Sequence, residues 1–180
     1  MPNWCSNHVR MEGPAKEIKR VWDKMEDESD NGLLSAIAPL KGSWEYNEAI
    51  DHWGTKWDIQ DHSLTHYQED DSGIIEGYFE SAWGPPTEAI AHWLNSNDEH
   101  KAHILWYEPG NDFCGSSDNG EFEQFECSAM TDAFLTQDKT GIALDEAFSI
   151  QSDREEWAEE DRQYALSEPL TLLNPEEEPQ

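Results

Sequence analysis

Positions 5–12 alternate, with Val9 and Met11 on one side and His8, Arg10 and Glu12 on the other, the period-two signature of a half-buried strand. Gly13-Pro14 ends it, and Pro14 suits the first turn of a helix. Ile18, Val21, Trp22 and Met25 then recur at helical spacing and predict an amphipathic helix to about residue 26, stopped by the polar run 27–31 and Gly32. Leu33, Leu34, Ile37 and Leu40 flank Pro39 and fit either a short helix or a packed loop. Tyr46, Ala49, Ile50 and Trp53 suggest a helical turn or two ending at Gly54. A second strand is expected over 56–61, with Trp57 and Ile59 on one face. The polar stretch 62–73, closing in Asp70-Asp71-Ser72-Gly73, then reads as the loop of a long hairpin.

A third strand is expected over 74–83, broken by Gly84-Pro85-Pro86-Thr87. The next helix carries Ala89, Ile90, Trp93 and Leu94 on an apolar stripe to about residue 97, and a fourth strand over 101–108 closes at Pro109-Gly110. Strand, helix, strand, strand, helix, strand is the split βαβ order of the ferredoxin-like fold. The expected class is therefore α+β, an antiparallel sheet with two helices on one face, spanning 1–120. A C-terminal strand and helix extension, 121–174, packs on the same domain: 116–120 is a turn cluster, 121–130 alternates as a strand, and 141–150 is ambiguous. Ser152-Asp153-Arg154-Glu155 resembles a capping box opening a helix through 165. Trp157, Asp161 and Tyr164 share a face of that helix, so the two aromatics are expected to dock it on the core. The acidic, Pro-bearing end 175–180 is expected to be a flexible tail.

Hydrophobic content is only 36%, but nine Trp, six Phe and five Tyr compensate, since each buried aromatic removes roughly 150–250 Å² from water. Charge changes the picture more. Forty Asp plus Glu against eleven Lys plus Arg give −29, spread along the whole chain. Such a field repels phosphate backbones and anionic membrane surfaces and attracts basic protein surfaces or cations. Direct nucleic-acid binding is therefore not expected. The same charge also fits simple solubility or adaptation to a salty cytoplasm. No apolar run approaches the ~18 residues of a membrane span. The start lacks the basic and apolar regions of a secretory signal, so a cytoplasmic location with reduced Cys5, Cys114 and Cys127 is expected.

In this layout the first and fourth strands are antiparallel neighbours, which brings Trp4 and Cys5 near Phe113 and Cys114. Cys5, His8 and Cys114 then invite three readings: a metal site, a redox pair, or thiols filling gaps among aromatics. Strand alternation turns Cys5 and His8 to opposite faces, which favours packing, so no metal or cofactor is assigned. His52, His62 and His66 read as solvated loop residues. His8, Arg10, Lys56, Asp58 and Glu80 are expected to share the open sheet face, as a shallow binding surface or a solvated patch of mixed charge. Phe113-Cys114-Gly115-Ser116 is the nearest approach to a nucleophile elbow and has no evident His partner. P-loop, dinucleotide-binding and His-Glu-x-x-His signatures are absent from the sequence, and a non-enzymatic role is expected.

Four motifs, in order, carry a family resemblance: Asn3-Trp4-Cys5-Ser6-Asn7, Gly54-Thr55-Lys56-Trp57-Asp58, Ala82-Trp83-Gly84-Pro85-Pro86, and Glu108 through Gly115 with Gly110, Phe113 and Cys114. Over residues 1–120 the chain resembles the YubB-type plasmid and phage family (Api-like phage proteins). The resemblance implies a ferredoxin-like domain and a mobile-element origin, and it implies no reaction. The expectation is an accessory protein working by protein contact in a host cytoplasm. Its carboxylates would mimic the phosphate spacing of DNA on a basic surface of a host defence or nucleic-acid-processing protein. Glu69, Asp70 and Asp71 in the loop and Glu155, Glu156, Glu159, Glu160 and Asp161 on the last helix are the expected contacts. The alternative is a small-ligand or cation-binding module using the sheet face or the Trp4/Cys114 end. Partner, host and oligomeric state stay open.

Overall fold

The computed structural model describes residues 3–27 and 32–167. The long strand β1 (Trp4–Pro14) runs into α1 (Ala15–Met25), which buries Ile18, Val21 and Met25. Two short helices follow, α2 (Leu33–Ile37) and α3 (Tyr46–Trp53). Strands β2 (His62–Glu69) and β3 (Ser72–Ala82) form a hairpin turning at Asp70-Asp71, with Asp70 in the left-handed region. Helix α4 (Thr87–Ser96) leads to β4 (Lys101–Glu108), β5 (Phe113–Asp118) and β6 (Glu121–Phe125). Helices α5 (Asp132–Gln137), α6 (Lys139–Phe148) and α7 (Ile150–Ser167) complete the described chain. The fold is α+β: one open six-stranded sheet in the order β2-β3-β1-β4-β5-β6, every pairing antiparallel.

Two cores lie on the two faces of this sheet. Odd positions of β1 (Cys5, Val9, Met11) and even positions of β4 (Ala102, Ile104, Trp106) face α1 to α4 and form the larger core. The opposite parity on β4 and β5 (Leu105, Tyr107, Cys114) meets Leu135, Leu144 and Ile150 of α5 to α7 in a second, smaller core. Two helices on one face and a strand and helix extension were expected; α5 to α7 make a second layer on the opposite face. Four helices, not two, contribute to the larger core.

Several expectations need correction. The second strand is not at 56–61 but at His62–Glu69, where the sequence reads as loop. The reason is the Asp58 carboxylate, which accepts the N–H groups of Gly32, Leu34, Ser35 and Ile59 and turns 54–61 into a cap for α2. The expected strand 121–130 stops at Phe125 and gives way to a 3₁₀ turn, Cys127–Ala129. The ambiguous stretch near 141–150 is helical as α6. The last helix starts at Ile150 rather than from a Ser152 cap, because the Asp145 carboxylate holds both the backbone N–H and the side-chain amide of Gln151. Trp157 and Tyr164, expected to dock α7, are 48% and 68% exposed rather than buried in the core. Ile150, fully buried, and the Arg154 guanidinium anchor the helix, the latter donating to the carbonyls of Cys127 (2.7 Å) and Met130 (3.0 Å). The expected tail, 175–180, lies outside the described residues.

Candidate functional site

Most of the motif residues gather at one end of the sheet, where β1 begins and β3 ends. Gly54 takes a left-handed conformation (φ 82°) that closes α3, and Thr55, fully buried, donates to the Ala82 carbonyl. Lys56 and Trp57 consequently point outward while Asp58 turns in to cap α2. Trp83 leaves β3 with a positive φ of 70°, its N–H bound to the Asn3 carbonyl. The Lys56 ammonium lies over the Trp57 ring, 4.2 Å from its centroid, and 4.9 Å from that of Trp83. Trp4 faces Trp57 at 6.0 Å, Tyr46 meets Trp83 edge-on, and Trp44 donates to the Lys56 carbonyl. Trp4 and Trp57 wall a cavity of about 500 Å³, whose other lining groups are Asp58, Ile59, Gln60, Asp61 and Glu80.

Beneath this aromatic end sits a buried polar knot that the reading of candidate sites passed over. The Asn7 amide donates to the Cys5 carbonyl (2.7 Å) and to Ser81 Oγ (2.8 Å), and Ser81 donates to the Gly84 carbonyl. Glu108, 3% exposed, accepts from the Asn111 N–H and holds the turn through Pro109-Gly110. Burial, with Glu108 and Glu80 nearby, pushes the Cys5 thiol well above its ordinary value, so it stays protonated and unreactive.

Cys5 and Cys114 reach the same end of the sheet, since Ser6 pairs with Tyr107 and Tyr107 with Cys114. They belong to opposite cores, however, so the grouping of Cys5, His8 and Cys114 does not form. Cys114 meets Cys127 and Met130 instead, its Sγ 3.5 Å from Met130 Sδ. The hydrogen bond to Cys127, together with burial, raises the Cys114 thiol, and the same bond lowers Cys127. All three cysteines are free and buried. The 113–116 stretch is plain strand β5, not an elbow.

On the open face of β1 and β3, Arg10 bonds Tyr67 (2.6 Å) and Glu76 (2.8 Å), the His8 ring lies tilted against Tyr78, and Glu80 accepts from Ser6. Lys56 and Asp58, expected in this patch, are engaged elsewhere. His62 and His66 are strand residues lying against Trp22, and His52 lies beside His92, so none of the three belongs to a solvated loop. Burial lowers the His103 imidazole, which lines a second cavity of about 360 Å³ with Asp118, Glu123 and Lys139.

The expected partner contacts fall in two places. Glu69, Asp70 and Asp71 occupy the β2–β3 turn at one edge of the sheet. Glu155, Glu156, Glu159 and Glu160 stand exposed on α7, in the layer over β4 and β5; Asp161 is a helix position of the same element. No protein-family model, curated protein or solved structure matches the chain. Among the described residues no helix is long and apolar enough to cross a membrane.

Proposed function

We propose that this is a non-enzymatic binding protein that recognises a basic protein surface through the carboxylate ridge of α7. One observation carries the reading: α7 presents Glu155, Glu156, Glu159 and Glu160 to solvent beside an exposed Trp157, while Arg154 is turned inward to backbone carbonyls and Arg162 pairs with Glu159 (3.1 Å). Four carboxylates on one and a half helical turns, in a chain of charge −29, make a field that steers a basic partner at low ionic strength. Within that reading the protein acts in a host cytoplasm as a phage or plasmid accessory factor and occupies a groove that would otherwise hold DNA. It binds no nucleic acid itself. The order β2-β3-β1-β4, with α1 after β1 and α4 after β3, supports reading residues 1–120 as a ferredoxin-like unit of the YubB type.

The test is competition. A basic DNA-binding protein carrying a fluorescent duplex is titrated with the wild type and with the Glu155→Gln, Glu156→Gln, Glu159→Gln, Glu160→Gln variant. The wild type should displace the duplex, and the variant should need at least about tenfold more protein. Equal displacement by the two would remove α7 from the interaction.

A further inference from the structure

We propose that the cavity walled by Trp4 and Trp57 binds an organic ammonium ion, as a free alkylammonium or as a lysine-type side chain. Its residues come from β1, β3 and the 54–61 loop and none from α7, so the inference stands apart from the partner reading.

Charge selects the class of ligand first. Asp58, Asp61 and Glu80 line the cavity and, among the described residues, no basic side chain does, so an anion is repelled. Inorganic cations fit poorly. Calcium or magnesium needs six or more oxygen ligands, yet both Asp58 oxygens already accept backbone N–H groups. Among the described residues no group of three His, Cys, Asp or Glu side chains is placed to hold a metal. What remains is a wall of two indoles, half and two-fifths exposed, whose centroids stand 6.0 Å apart with planes at 41°, plus Ile59. Exposed indoles can engage a weakly hydrated cation, and aromatic faces favour alkylated ammonium over strongly hydrated sodium. The protein already uses the same chemistry next door. Lys56 rests its ammonium on Trp57, one wall of the cavity, and on Trp83 without itself lining the cavity, so Trp4 is the wall that no described cation covers. Asp61 on the loop and Glu80 on β3 supply the counter-charge.

The experiment follows the indole N–H resonances of ¹⁵N-labelled protein during titration with choline, with its neutral isostere 3,3-dimethylbutan-1-ol, and with sodium chloride at matched ionic strength. Choline should shift the Trp4 and Trp57 signals saturably. The isostere should need at least about tenfold more, and sodium should leave both signals in place. Trp4→Ala should weaken choline at least about tenfold and Asp61→Asn about threefold, with circular dichroism unchanged in both. Asp61→Asn serves as the independent check should Trp4→Ala disturb the start of β1. A peptide carrying trimethyllysine, compared with free choline, assigns the source by whichever binds tighter. Equal binding of choline and the isostere, displacement by sodium, or indifference to both variants would overturn the proposal.

Discussion

Removing the Asp58 carboxylate should cost more than any other single change in the 54–61 loop. Its Oδ1 accepts from Leu34 (2.7 Å) and Ile59 (2.8 Å), its Oδ2 from Ser35 (3.0 Å) and Gly32 (3.1 Å). Three of these donors are the otherwise orphaned N–H groups at the start of α2, whose preceding residue is Gly32 and offers no side-chain cap. Hydrogen bonds to a charged group are each worth ~1.5–3 kcal/mol, and losing a cap ~0.5–2 kcal/mol. The terms overlap, because they share one carboxylate and one helix end. Helix α2 also seats Leu33, Leu34 and Ile37 in the larger core, so its loosening spreads. We expect Asp58→Ala to lose ~3–5 kcal/mol, and Asp58→Asn, which keeps one acceptor oxygen, about half as much. Urea unfolding followed by tryptophan fluorescence measures both. With a slope of ~1–3 kcal/mol per molar, the alanine variant should unfold at least ~1 M earlier. A loss under ~1 kcal/mol would refute the capping role and reopen 54–61 as strand.

Further outcomes are open to measurement. Arg154→Met should free two carbonyls and undock α7 by ~2–3 kcal/mol, seen as faster amide exchange in α7 and at 127–129 with β1 unaffected. Gly77→Ala should destabilise by at least ~2 kcal/mol, because φ is 144° there and a methyl group would meet the Ser63 carbonyl across the β2–β3 pair. Glu76 is held below its ordinary value by the Tyr67 hydroxyl first and the Arg10 guanidinium next, against burial. A depressed folded-state value means that stability is present above the unfolded value of 4.5 and is lost as pH falls through the folded one. Wild type minus Glu76→Gln should therefore shrink as pH falls below the unfolded value of 4.5, and a constant difference would show the carboxylate to be energetically idle. Taking the difference matters, because acid also relieves the repulsion of a −29 chain.

The strands and helices of the larger core were legible because their periods are clean. β1 alternates and α1 and α4 carry stripes, so parity alone places Val9, Met11, Ile18 and Ile90 inside. The same parity puts Asn7 beside Val9, and it is 1% exposed; that signal was available and concerned a residue type seldom buried. β2 was hidden for the opposite reason. It is an edge strand whose buried hydrophobic is Leu64, so its pattern is nearly all polar. Trp57 and Ile59 imitated a strand while Asp58 between them reached 23 to 26 residues back along the chain, a contact that no local period reveals. Trp157 suggested an apolar face for α7, whereas Ile150 and a long arginine do the anchoring. The meeting of Cys114 with Cys127 and Met130 depends on a 3₁₀ turn with no sequence period of its own.

Whether α7 recognises a basic surface is decided by the salt dependence of binding to one arginine-rich peptide, read by fluorescence anisotropy for the wild type and the α7 quadruple glutamine variant. Affinity should fall steeply with salt for the wild type, and be weaker with a markedly flatter slope for the variant. Superimposable curves for the two proteins would contradict it.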